Sequence, residues 1–152
     1  ISRGLVGSEM CIRDSGYVGL SVCKGKEVAS TIRKAIDKAK LNMIPVMRGN
    51  GSWESSEGPG TSVPFMVTGR SGSTRITLMP APAGKGLVIG DYGRRVLTLA
   101  GVTDVWSRSS GQTRTTINFA KATFNALVQL NTTRLSEGVN RRLNIIRGRE
   151  LS

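Results

Sequence analysis

Residues 16–42, GYVGLSVCKGKEVASTIRKAIDKAKLN, decide the fold. Residues 16–23 are apolar, small and partly β-branched, which predicts a strand. Residues 27–42 carry apolar side chains three and four positions apart, which predicts an amphipathic helix. Residues 24–26 form the turn between them. The buried face of this helix is predicted to consist of Val28, Ile32, Ala35, Ile36 and Ala39.

Downstream of the helix, a short strand is predicted over residues 43–47, and the Gly/Ser-rich segment 48–61 is the best internal boundary. Two strands then alternate apolar and polar residues, and residues 69–72 are predicted to connect them as a hairpin. The alternating apolar residues are Val63, Phe65 and Val67 in the first strand and Ile76 and Leu78 in the second.

The second half continues with a predicted helix over 90–100, ended by Gly101, and a strand over 102–107. Val96, Leu97 and Ala100 are expected to face inward. A longer helix over 117–130 would begin at Thr115 or Thr116. Its buried face is predicted to consist of Phe119, Ala122, Thr123, Ala126, Leu127 and Leu130. The last twenty residues are expected to form an extended or weakly helical basic tail.

The composition excludes several classes of enzyme. The chain has 152 residues and no histidine, so it holds no Ser-His-Asp or Cys-His machinery and no His-bearing zinc site. Cys11 and Cys23 are too few for a structural zinc centre or a secreted disulfide scaffold, which favours a reduced cytosolic compartment. We expect Cys23 to be a small buried hydrophobe.

The charge points to a polyanionic partner. Twenty-two Lys and Arg against ten Asp and Glu give a formal charge of +12. Residues 16–50 and residues 112–152 each carry seven basic and two acidic side chains, and most of this charge is interleaved with apolar periodicity. Folded basic surfaces are therefore favoured, with nucleic acid as the partner. An anionic membrane is the weaker alternative, because no apolar run approaches the roughly 20 residues of a spanning helix.

The first candidate binding surface is the helix 27–42 and the turn before it. A helix N-terminus attracts phosphate, and a basic stripe can follow a phosphate backbone. The alternative is an ordinary solvated face, but Asp37 is the only acid in the helix body. The candidate cations are Lys24, Lys26, Arg33, Lys34, Lys38 and Lys40.

Three further segments could meet phosphates in the second half. The Gly84–Asp91 loop matches neither the P-loop nor the dinucleotide-binding pattern, and taken alone it favours a tight loop shaped for packing. The hairpin tip 69–75 could be a simple exposed turn, and threonine capping alone could explain residues 112–118. The candidate cations are Arg70, Arg75, Lys85, Arg94, Arg95 and Arg114. Trp53 and Trp106 could stack on bases, although core or interface packing is the favoured interpretation.

Several ordered blocks resemble the small-subunit ribosomal protein five family. They begin with Gly16-Tyr17-Val18-Gly19-Leu20 and Lys24-Gly25-Lys26-Glu27-Val28, and they continue through residues 84–91 and 112–126. The resemblance covers about residues 16–130. Residues 49–54 and 111–122 are similar to the archaeal and eukaryotic branch. In that branch the loop around Trp53 often carries cysteines, whereas this chain has Ser55 and Ser56, so no metal and no cofactor are expected.

The resemblance implies an α+β fold with two domains. Residues 16–48 would form a truncated double-stranded-RNA-binding-like α/β domain, and residues 49–61 a linker loop. Residues 62–131 would form the family's two-layer α/β C-terminal domain, followed by a basic tail at 132–152. Leu5–Ser15 resembles a translated sequencing adapter, so residues 1–15 are predicted to be a non-native leader. The family has a helix and a long strand before Gly16, so strand 16–23 is expected to have an exposed edge.

The resemblance also implies a function without catalysis. The chain would be a structural constituent of the small ribosomal subunit in the cytoplasm, with the twelve candidate cations contacting ribosomal RNA. It would lie where mRNA enters, near the decoding region, beside small-subunit ribosomal proteins four and eight, and it would support assembly and accuracy. One rival is a small enzyme related in fold to metabolite kinases, acting on a phosphorylated substrate in the Gly84–Asp91 loop. The other is a non-ribosomal RNA-binding protein.

Overall fold

A computed structural model of the chain describes residues 16–50, 60–143 and 145–147. The predicted leader, with Cys11, lies outside the described residues. The same holds for Trp53, Ser55 and Ser56, so the expectation that this loop binds no metal stays a prediction.

The first part of the chain contains three short strands and one helix. They are β1 (Tyr17–Val18), α1 (Val28–Leu41), β2 (Ile44–Pro45) and β3 (Met47–Arg48). The strand predicted over 16–23 is wrong beyond Val18, because β1 pairs antiparallel with β2 over only two residues. The predicted strand 43–47 is divided at the buried Val46, whose N–H donates to the carbonyl of Gly16 at 2.7 Å. Within the described residues, β1 is paired along one edge only.

Helix α1 agrees with its predicted bounds, and its buried face agrees in part: Ala35 and Ala39 are buried as predicted and Ile36 is half-buried. Thr31, Ala35 and Ala39 are buried, whereas Val28 is 59% and Ile32 39% exposed. The helix turns Thr31 inward, and this side chain packs against Gly25. The Thr31 hydroxyl is satisfied within the helix, because it donates to the carbonyl of Glu27. A polar residue therefore takes a core position that the apolar pattern assigns to its neighbours.

The second part is a four-stranded sheet with helices on one face, as the α+β prediction requires. Its elements are β4 (Val67–Ser71), β5 (Thr74–Pro80), β6 (Leu87–Val88), α2 (Asp91–Leu99), β7 (Val105–Ser110) and α3 (Thr116–Thr132). The strand order is β4-β5-β7-β6. All pairs are antiparallel except β6 with β7.

The predicted hairpin is present with shifted limits. Strand β4 begins at Val67 rather than Val63, since Pro64 has no N–H to donate to a sheet ladder. The connection is Gly72-Ser73 rather than residues 69–72, because Arg70 and Ser71 pair with Arg75 and Thr74. Strand β7 also begins three residues later than predicted.

Both predicted helices of the second part are confirmed. Val96, Leu97 and Ala100 are buried in or directly after α2. The chain leaves α2 through two backbone bonds, from Gly101 N–H to Thr98 O and from Val102 N–H to Leu97 O, which is the Schellman arrangement. All six residues predicted for the inner face of α3 are buried. Thr115 is its N-cap residue, but it makes no side-chain capping bond.

The core lies between the sheet and α3. Ile76, Leu78, Val105, Leu127 and Leu130 are among its buried members. The helix lies directly on β4 at Gly69, where a Cβ atom would come within 2.0 Å of the carbonyl oxygen of Ala122. Only glycine permits this approach, which fixes the distance between helix and sheet.

The C-terminal segment joins the two parts. It contains α4 (Glu137–Arg142) and β8 (Ile146–Arg147), and β8 pairs antiparallel with β3. The N–H of Asn50 also donates to the carbonyl of Leu143 at 2.7 Å. The expectation of an extended or weakly helical tail does not include this pairing, which ties β3 to the C-terminal segment.

Candidate nucleic-acid interface

All twelve cations predicted from the sequence are exposed. They fall into three places, on α1, at the hairpin end of the sheet and around the loop that leads into α2. The second and third places lie at opposite ends of β5, separated by about 17 Å if five strand residues rise 3.3 Å each.

The first place is the outward surface of α1 and the turn before it. Arg33 and Lys40 lie opposite the buried residues, while Lys34 and Lys38 flank them one turn apart. Lys38 and Lys40 also stand in the last turn of the helix, where cations stabilise the carbonyl end of the helix dipole. These two lysines therefore have a structural role in addition to any contact with phosphate.

The helix N-terminus is less suited to phosphate than its sequence indicates. Glu27 is the N-cap residue and is exposed, and it makes no side-chain capping bond. A carboxylate at this position opposes an incoming anion. The lysines at 24 and 26 remain the contacts that this end offers.

The second place is the hairpin end of the sheet. Arg70 and Arg75 are directly opposed across β4 and β5, and both are exposed. Arg70 is oriented by its Nε, which donates to the carbonyl of Gly72 at 3.0 Å. The loop that carries Arg114 lies against the same end, because the hydroxyl of Thr74 donates to the carbonyl of Gln112 at 2.8 Å. The fold thus brings three predicted cations from two segments to one end of the domain.

The third place is built around a buried acid. Oδ1 of Asp104 accepts hydrogen bonds from the N–H groups of Gly84 and Gly86, at 3.1 and 2.9 Å, and Oδ2 accepts one from the hydroxyl of Thr103 at 3.1 Å. Both glycines have positive φ angles, +87° and +74°. The loop is therefore held in a conformation that suits glycine. It presents Lys85 to solvent between the two anchored positions.

Lys85 contributes to a cationic cleft of about 720 Å³ together with Arg48 and Arg94. Arg94 reaches it from the first turn of α2, and its Nη2 donates to the carbonyl of Leu87 at 3.3 Å. Arg48 reaches it from β3, and its Nη1 lies 3.5 Å from the carbonyl of Gly101. Three cations from three separate segments therefore surround one space, an arrangement that suits a phosphate group.

Arg95 does not belong to this cleft. Its guanidinium lies over the ring of Tyr92, 5.9 Å from the ring centroid, at the outer limit of a cation–π contact. Neighbouring arginines on α2 thus have different surroundings, although they are adjacent in the sequence.

Sequence reasoning misses two cations that the structure brings into these places. Arg48 stands at the end of the predicted first domain, and only the β3–β8 pairing and the cleft show where it lies. Arg108 lies in β7 opposite Thr77, on the same sheet face as Arg75. The predicted strand ends at residue 107, one position short of Arg108, although the alternation of the strand continued through that residue would place it outward.

The structure gives no support to the enzymatic rival. That hypothesis needs a convergent set of acids to hold a metal and act as a base, and Asp91 and Asp104 are the only acids between residues 58 and 136. Asp104 is buried and bonded to the backbone, and Asp91 is exposed at the start of α2. Among residues 16–50, 60–143 and 145–147, no three potential metal ligands come together. No helix in that part of the chain is long and apolar enough to cross a membrane.

Comparison with known proteins identifies the family. Residues 10–47 match the model of the ribosomal protein S5 N-terminal domain, and residues 69–140 match that of the ribosomal protein S5 C-terminal domain. Small ribosomal subunit protein uS5 of Methanothermobacter thermautotrophicus is 56% identical over 122 residues, covering 80% of this chain and 56% of that protein.

Two other archaeal relatives agree. The uS5 protein of Methanocaldococcus jannaschii is 53% identical over 137 residues, covering 90% of this chain and 63% of that protein. The protein of Pyrobaculum arsenaticum is 55% identical over 114 residues, covering 75% of this chain and 56% of that protein. The chain thus spans rather more than half the length of these curated relatives. With both domain models matched in order, the chain belongs to the ribosomal protein S5 family, the family that its sequence resembles.

Proposed function

We propose that this chain is a structural constituent of the small ribosomal subunit, that it binds ribosomal RNA through its folded cationic surfaces, and that it catalyses no reaction. The observation that carries the proposal is its 53–56% identity to small ribosomal subunit proteins over most of its length. The exposure of all twelve candidate cations supports the chemistry, since phosphate contacts need accessible guanidinium and ammonium groups.

The α1 surface, the hairpin end of the sheet and the cleft around Lys85 are the three proposed phosphate-binding regions. The family resemblance implies that they lie where mRNA enters the subunit, near the decoding region, beside small-subunit ribosomal proteins four and eight. In this position the chain would support assembly and translational accuracy in the cytoplasmic ribosome. The cleft is formed in part by β3 and in part by the second domain, so a bound phosphate would also hold the two parts together.

Filter binding of the chain to small-subunit ribosomal RNA tests this proposal. The logarithm of the association constant should fall linearly with the logarithm of salt concentration, by about 0.9 for each phosphate contacted in a duplex. Binding that does not change across the salt titration would contradict a phosphate-based interface. Binding of a nucleotide in calorimetry, without binding of RNA, would instead favour the enzymatic rival.

A further inference from the structure

The sheet of the second domain has one face that no described element covers. Helix α3 packs on one face, and the alternation of buried and exposed residues in β4 and β5 turns the other face to solvent. We call this surface the open sheet face. It carries Arg70, Arg75, Met79, Trp106, Arg108 and Ser110.

The cations of the open sheet face are arranged in neighbouring rows. Arg70 is opposite Arg75, which is in turn opposite Ser110, and Arg108 is opposite Thr77 in the next row. Like charges that are directly opposed across a sheet cost stability. The four strands contain no Asp or Glu to offset that cost. A face that concentrates uncompensated positive charge in this way is suited to an anionic partner.

The other end of the same face is apolar. Trp106 is 41% exposed and lies opposite Met79 in β5 and Val88 in β6. The sequence favours a core or interface position for this tryptophan, but the structure leaves a large part of its indole accessible. Trp106 and Arg108 are two residues apart in β7, so they point to the same side about 7 Å apart.

We propose that the open sheet face binds a single-stranded segment of RNA, with phosphates on the arginine rows and a base stacked on Trp106. The proposal rests on the RNA-binding function proposed above. It adds the stacking of an unpaired base to the phosphate contacts of that function. Aromatic side chains beside cations on an accessible surface are the chemistry by which proteins hold unpaired bases. Duplex RNA does not offer a free base for the indole. Acidic side chains can pair with the arginines, but they do not stack on the indole.

Tryptophan fluorescence provides a direct test. The chain contains two tryptophans, so a Trp53→Phe background leaves Trp106 as the only one. We expect an unstructured oligouridylate of about twelve nucleotides to quench its emission, and a duplex of equal length to quench it much less. Trp106→Ala should lower affinity for the oligomer by about tenfold, and Trp106→Phe should restore most of it.

A matched pair of double variants distinguishes binding at the open sheet face from nonspecific electrostatic attraction. The double variant Arg75→Gln with Arg108→Gln should weaken oligomer binding about tenfold. The control, Lys121→Gln with Arg134→Gln, removes the same charge from exposed positions on and just beyond α3. It should change oligomer binding less than about twofold. Circular dichroism establishes that both variants fold.

Three outcomes would overturn the inference. If the chain binds ribosomal RNA but Trp106 emission does not respond to the oligomer, the open sheet face is not a binding site, while the proposed function stands. If polyglutamate quenches Trp106 and the oligomer does not, the face belongs to an acidic protein partner. If the chain binds no RNA at all, both proposals fail.

Discussion

The carboxylate of Asp104 accepts a hydrogen bond from the N–H of Gly86 at 2.9 Å. It accepts a second from Gly84, so one buried acid fixes both ends of the loop that presents Lys85. In the sequence this aspartate is one of only two acids between residues 58 and 136 that an enzyme could use. In the structure its oxygens are occupied by donors of the chain itself, and its function is to hold a cationic loop in place.

Replacing Asp104 with asparagine should destabilise the protein by about 2 kcal/mol. The variant loses the charge that strengthens two backbone hydrogen bonds, and if its amide oxygen keeps those two bonds, its NH2 group replaces the oxygen to which the Thr103 hydroxyl now donates. Urea denaturation measures the change. Asp91→Asn is the matched control, since this acid is exposed in the first turn of α2 and should cost about 0.5 kcal/mol through the helix dipole. Equal losses in the two variants would contradict the assigned role.

The close approach of α3 to β4 predicts a large effect at Gly69. A Cβ atom there would lie 2.0 Å from Ala122 O and 2.4 Å from Ala126 N, and backbone atoms cannot yield as a side chain does. We expect Gly69→Ala to cost about 3 kcal/mol, at the upper end of the overpacking range. Gly138→Ala, in α4 with nothing within 4 Å, should be neutral or slightly stabilising. A Gly69→Ala variant with the wild-type melting temperature would show that the helix is not seated on this residue.

The outward cations of α1 should supply a measurable part of the salt dependence. Changing Arg33, Lys34, Lys38 and Lys40 to glutamine should reduce the slope of log affinity against log salt by about 0.7–0.9 for each phosphate that the variant no longer neutralises. The measurement is filter binding to small-subunit ribosomal RNA at several salt concentrations. Because Lys38 and Lys40 also stabilise the helix end, the free energy of unfolding should be measured alongside. A slope that does not change would remove α1 from the interface.

Adjacent arginines on α2 give an internal comparison for the cleft. Arg94→Gln should weaken binding to ribosomal RNA several-fold, because Arg94 lines the cleft with Lys85 and Arg48. Arg95→Gln removes the same charge from a side chain that lies over Tyr92, so its effect should be the smaller one. Competition binding with a labelled RNA fragment measures both. If Arg95→Gln were the more damaging change, the phosphate would lie outside the cleft.

The sequence predicts best the helix whose apolar side is covered along its whole length. The inner face of α3 follows from its helical period, because β4, β5 and α2 together cover that side of the helix, and every predicted residue is buried. Helix α1 has the same kind of pattern, yet Val28 and Ile32 are exposed, because what packs against it is the irregular segment around Gly25. A period shows that a helix has an apolar side but not which part of that side is covered.

The period of apolar residues does not predict which distant segments pair with each other. The pairing of Arg48 with Ile146 joins residues almost a hundred positions apart, and neither segment carries a pattern that selects the other. The place of Arg48 in the cleft therefore has no signal in the sequence. The exposure of Trp106 escapes prediction for a related reason, since whether an outward strand residue is covered depends on what lies on that face of the sheet.

The most direct test of the central claim is co-sedimentation of the chain with small ribosomal subunits in the presence of excess transfer RNA. We expect the protein to sediment with the small subunits, and a smaller fraction of it to do so when Arg33, Lys34, Lys38 and Lys40 are replaced by glutamine. If the protein instead distributes with the transfer RNA, it is a general RNA-binding protein, and its proposed place in the subunit is wrong.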